Sequence, residues 1–73
     1  MQYIDLKKIY EELPDLIEEK QCTTVRKLAG YFPIFENDKQ SLVAVFNEVL
    51  FLANEGKVCL SQMEGDVGVS VLM

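Results

Sequence analysis

The chain has 73 residues, 49% of them apolar, with 7 basic against 12 acidic side chains, a formal net charge of −5 and no histidine. This length makes one small domain, able to bury only about 60% of its unfolded surface, so an apolar half exceeds what the core uses and part of it is expected to cover a partner. The acidic balance disfavours nucleic-acid phosphate and anionic membranes unless a local basic patch overrides it, and the basic pairs are only Lys7-Lys8 and Arg26-Lys27.

No segment reaches the 18 or more consecutive apolar residues of a membrane span, and Asp5, Lys7 and Lys8 interrupt any signal-peptide pattern. An intracellular soluble domain is expected. Cys22 and Cys59, without a histidine, are too few for a zinc site. They read as buried, reduced thiols, with a disulfide between them as the alternative.

In chain order, Asp5 is placed to cap a first helix over residues 5–20. Leu6, Ile9, Tyr10, Leu13, Leu16 and Ile17 recur at helical spacing, with Glu11, Glu12, Asp15, Glu18 and Glu19 on the opposite face. Pro14 removes one backbone donor, but the apolar face keeps its register across it, which predicts one kinked helix, with a break into two helices as the alternative. Thr23 or Thr24 can cap a short second helix, Val25–Tyr31, with Val25, Leu28 and Ala29 inward. Phe32-Pro33 ends it, because a proline disfavours helical geometry at the preceding residue.

After a connection at Ile34–Asp38, with Asn37 or Asp38 as cap, a third helix is predicted from Lys39 to Asn54. Gly56 takes the left-handed position that closes it. At 100° per residue, Leu42, Phe46, Val49 and Ala53 form the centre of its buried stripe, widened by Val43, Val45, Leu50 and Leu52. Asn47, Glu48 and Phe51 lie on the least apolar side. Phe51 there either packs under the first helix or the hairpin or contacts a partner.

Two alternating runs follow, Lys57–Gln62 and Val67–Met73, around a turn at Gln62–Asp66. Val58, Leu60, Val67, Val69, Val71 and Met73 face the core, and Cys59, Ser61 and Leu72 the other side. Three helices followed by a two-stranded β-hairpin wing make an α+β winged helix, a single domain over residues 1–73.

The chemistry of an enzyme is missing. Without histidine there is no ordinary general base near neutral pH and no Ser-His-Asp arrangement. The glycines are isolated at Gly30, Gly56, Gly65 and Gly68, so there is no phosphate loop. The paired acids of the first helix read as a solvated face, and Glu64 with Asp66 makes a poor calcium site. No catalytic residue, metal or cofactor is expected.

The segments Ser41–Phe46, Val49–Ala53 and Gly56–Gln62 are similar to the C-terminal winged-helix domain of kleisins, the bridging subunits of cohesin, condensin and bacterial SMC complexes. Gly65-Asp66-Val67-Gly68-Val69 is similar to the last strand of that domain. Leu52-Ala53-Asn54-Glu55 resembles the Leu-Ala-Asn-Glu of condensin-type kleisins, and Ile4-Asp5-Leu6-Lys7-Lys8 the first helix of the same domain. The short turn between Gln62 and Gly65, and Pro14, depart from the pattern.

The resemblance implies that the chain is the C-terminal part of a longer protein that docks on an SMC ATPase head and closes the ring of a chromosome-organising complex. DNA and the other subunits would be met through that complex. It would reside on nuclear chromosomes in a eukaryote, or in the cytoplasm and nucleoid of a bacterium. In such a mode the hairpin lies along a sheet of the head, so that backbone hydrogen bonds contribute affinity. Phe51, Cys59, Ser61, Gln62 and Leu72 are the candidate partner contacts. The small side chains of Cys59 and Ser61 admit a partner strand, Gln62 enters only through the resemblance, and Leu72 is either an interface residue or a frayed end. The alternative is a small winged-helix DNA-binding regulator using Arg26, Lys27 and Lys57. A third reading is a scaffold in a transcription or ubiquitin-ligase assembly.

Overall fold

The computed structural model of the chain describes residues 6–32 and 38–72. The expected Asp5 cap, the Pro33 stop, the connection over 34–37 with its Asn37 cap, and the inward placement of Met73 lie outside the described residues. The order is α1 (Leu6–Lys20), β1 (Cys22–Thr24), α2 (Val25–Ala29), α3 (Asp38–Asn54), β2 (Val58–Met63) and β3 (Asp66–Val71). Among the described residues the fold is α+β, three helices packed on one face of a three-stranded antiparallel sheet of order β1-β3-β2.

The expected two-stranded hairpin is therefore corrected to a three-stranded sheet. Its extra strand, Cys22-Thr23-Thr24, pairs Thr23 with Val69 and Thr24 with Gly68. Three residues are too few to display a period of two, and the same threonines also suit a helix cap, so only β3 alongside them reveals the strand. Both roles coexist. Thr24 has extended backbone and its hydroxyl accepts from the Lys27 N–H at 3.2 Å, opening α2. That helix stops at Ala29 rather than Tyr31, and its end tightens through Tyr31 N–H to Leu28 C=O and Phe32 N–H to Ala29 C=O.

Helix α1 runs unbroken through Pro14. It closes on Gln21, which has a left-handed φ of 69° and donates from its N–H to the Ile17 carbonyl at 2.8 Å and from Nε2 to the Glu18 carbonyl at 2.6 Å. The chain then enters β1. Helix α3 ends in a Schellman arrangement: Lys57 N–H bonds to Leu52 C=O, Gly56 N–H bonds to Ala53 C=O, and Gly56 has φ 76°. That closure turns the chain straight into β2.

Ile9, Leu13 and Ile17 of α1 meet Val25, Leu28 and Phe32, then Val45, Val49 and Leu52 of α3, over Val58 and Val69 of the sheet. Tyr10, expected inward, is half exposed, because the buried stripe of α1 is narrower than its apolar pattern. The larger correction concerns α3. Ser41, Val45, Glu48, Val49 and Leu52 are its buried positions, while Leu42, Phe46 and Ala53 are only partly covered. The helix is turned roughly a quarter rotation from the phase its pattern suggests. A helix apolar nearly all round has no preferred face of its own, so its neighbours choose one.

Candidate protein-interaction surface

The rotation of α3 leaves Val43 52%, Leu50 39% and Phe51 55% exposed. Two of these were expected in the core; only Phe51 was expected outside. Between Lys39 and Glu55 the one charged residue of α3 is Glu48, and it points inward, 8% exposed. Burial pushes its carboxyl above the usual range, and the charge of Lys57 opposes that only in part. The outer side of α3 is thus apolar and uncharged along most of its length, with Asn47 and Asn54 its polar members.

Beside that side runs an apolar groove. Val25, Leu42, Val43, Phe46 and Val67 line a cavity of about 330 Å³ whose rim carries Arg26, Gly65 and Asp66. A second recess of about 510 Å³ shares Phe46, Asp66 and Val67 and extends to Leu60, Gln62 and Met63 on β2. The surface is continuous from the helix to the sheet edge.

The rim is held by hydrogen bonds. Asp66 Oδ1 accepts from its neighbour Val67 N–H at 2.7 Å and from Arg26 N–H at 3.3 Å, and Arg26 Nε donates to Gly65 C=O at 2.8 Å. Burial pushes the Asp66 carboxyl up. The hydrogen bonds from Val67, the Thr24 hydroxyl and Arg26, with the Arg26 charge, outweigh this and hold it below the usual carboxylate range. The expected five-residue turn is only Glu64-Gly65, since Met63 already pairs with Asp66, and Gly65 supplies the positive φ. The wing is short and fastened to α2.

Among the described residues, β2 is a sheet edge, paired on one side only. The Leu72 N–H donates to the Lys57 carbonyl at 3.1 Å. With the register Val58↔Val71 to Met63↔Asp66, this turns the backbone groups of Cys59, Ser61 and Met63 toward β3 and those of Val58, Leu60 and Gln62 outward. Cys59 and Ser61 lie on the sheet face away from the helices. Both cysteines are exposed and free, not buried. They pair with Ser70 from its two sides, about 9.5 Å apart, beyond the reach of a disulfide.

No family model, curated protein or solved structure matches this chain. The surface stands on its geometry.

Of the residues singled out by sequence, Phe51, Cys59, Ser61, Gln62 and Leu72 are all exposed, but they do not form one patch. Cys59 and Ser61 face away from the helices, Gln62 takes the other face of β2, and Phe51 projects from α3. Arg26, Lys27 and Lys57 are not one face either. Arg26 sits against the hairpin turn, whereas Lys57 precedes β2 at the far end, roughly 20 Å along the strand. Val43, Leu50 and the groove were missed as surface, and pairing along the hairpin edge entered only through the resemblance and the small side chains of Cys59 and Ser61. The absence of charge along α3 and β2 was the signal available for them.

Proposed function

We propose that this chain is a winged-helix protein-interaction module, the C-terminal domain of a kleisin that docks on an SMC ATPase head and helps to close the ring of a chromosome-organising complex. DNA and the remaining subunits are engaged through that assembly, on the chromosome or nucleoid, and the chain performs no catalysis. The observation that carries the reading is the uncharged, apolar outer side of α3 with Val43, Leu50 and Phe51 exposed. In a DNA-reading helix this position would carry base-contacting Arg, Lys, Asn or Gln; a row of apolar residues there fits a protein interface, whose centre is depleted of charge. The element order and the sheet order β1-β3-β2 support the winged-helix assignment. The open backbone groups of Val58, Leu60 and Gln62 support docking along a strand of the partner.

The reading as a DNA-binding regulator draws less support. Arg26, its best phosphate contact, is hydrogen-bonded to the hairpin turn, and that turn carries Glu64 rather than a cation. Titrating the domain against the purified SMC head, with duplex DNA in parallel, separates the two. The kleisin reading expects tight binding to the head that Leu50→Asp or Phe51→Asp abolishes while the fold survives. Salt-sensitive DNA binding with none to the head would overturn it.

A further inference from the structure

We propose that two copies of this chain pair with each other, antiparallel, through the open edge of β2, in a symmetric dimer centred on Leu60. The inference does not rest on the docking reading, but it uses the same edge of β2, so a second copy and a partner strand would exclude each other there. Exposed edges are ordinarily blunted by charge, proline, a bulge or shortness. β2 has none of these devices. Its six residues, Val58–Met63, include no charge and no proline, and they pair with β3 without interruption.

The outward backbone groups of Val58, Leu60 and Gln62 demand an extended partner, and a second copy supplies the same three in reverse order. With Leu60 opposite Leu60, Val58 faces Gln62 of the second copy and Gln62 faces its Val58. Every outward N–H and C=O then meets a complement, which no other self-register achieves.

The side chains agree with this register. Cys59, small and exposed, comes opposite the equally small Ser61 of the second copy in a closely spaced pair, so neither obstructs the approach. At each end, Lys57 of one copy comes opposite Met63 of the other, one residue short of Glu64 on the turn, and the two-fold axis repeats that opposite-charge proximity. The charges that flank β2 are therefore complementary in self-pairing, even though each copy carries a formal net charge of −5.

Sedimentation or light scattering of the full chain over a concentration series tests this. The expected result is a mass rising from 8.3 kDa toward twice that value. Gln62→Pro removes an outward N–H that no bond to β3 uses, at an edge where proline is tolerated, and is expected to remain monomeric with an unchanged circular dichroism spectrum. The double variant Cys22→Ser/Ser61→Cys tests the register without depending on that fold. It sets the introduced thiol at position 61 opposite Cys59 of the second copy at a Cα separation of about 4.5 Å, within disulfide range. On mild air oxidation it is expected to give a covalent dimer on a non-reducing gel. A wild-type chain that stays monomeric throughout, or a dimer in which Ser61→Cys does not cross-link, overturns the proposal. A monomer that still binds an SMC head would overturn this pairing and leave the docking reading standing.

Discussion

Arg26 and Asp66 meet at the start of α2 across 40 residues of sequence, the Arg26 N–H donating to Asp66 Oδ1 at 3.3 Å. The carboxylate lies where the unpaired N–H groups of a helix terminus face an anion, and the Arg26 side chain returns the contact by binding the Gly65 carbonyl. One residue pair thus joins the hairpin to the helix that bounds the groove.

Asp66→Asn is expected to lower stability at neutral pH by about 1 kcal/mol, the scale of a hydrogen bond to a charged acceptor at a helix start. The folded-state pKa of Asp66 is depressed, so its stabilisation is complete above the ordinary aspartate range and is lost as pH falls through the folded value. Urea denaturation of wild type and variant should show a gap at pH 7 that closes in acid. A gap independent of pH would mean that shape, not charge, holds the contact.

Glu48 should behave in the opposite sense. Its folded-state pKa is raised, chiefly by burial, so ionisation opposes folding and stability declines as pH rises through the carboxylate range. Glu48→Gln is expected to stabilise the domain at pH 7.5 and to lose that advantage below the ordinary glutamate range. Chemical denaturation at the two pH values checks this; a destabilised variant at pH 7.5 would show that Lys57 outweighs desolvation.

The phase of α3 can be read from two leucines. Leu52 is 3% exposed and Leu50 39%. Leu52→Ala should cost about 2–5 kcal/mol, the range for truncating a buried leucine. Leu50→Ala should cost under about 1 kcal/mol, because much of that side chain already meets water. Thermal melts suffice, since 1 kcal/mol moves the midpoint of a domain this size by roughly 4–8 °C. Equal losses would return the helix to the phase its sequence pattern suggests.

Gly68 is crowded by two neighbouring side chains that a Cβ would have to displace. A Cβ there would collide with the Ser61 hydroxyl and come within 3.0 Å of Met63 Sδ. Gly68→Ala should cost about 1–3 kcal/mol, as overpacking does, and Ser61→Gly in the same chain should recover part of it. A double variant no better than Gly68→Ala in a thermal melt would point to a different clash.

Local rules made much of this protein legible. The i, i+4 spacing of Ile9, Leu13 and Ile17, the cap at Thr24, the stop at Gly56 and the alternation through Val67, Val69 and Val71 are each set by a residue and its near neighbours. The helices and the hairpin could therefore be read from the chain alone. The third strand, the rotation of α3 and the fastening of Asp66 to Arg26 could not. Cys22-Thr23-Thr24 is a strand only because β3 lies beside it. α3, apolar nearly all round, takes its buried face from α1, α2 and the sheet. Asp66 becomes a helix-terminal anion only when the hairpin folds back over α2. Sequence determined the pieces, because propensity and periodicity are local; tertiary packing decided which apolar side chains remain exposed, because burial is shared between surfaces that meet only in the folded chain.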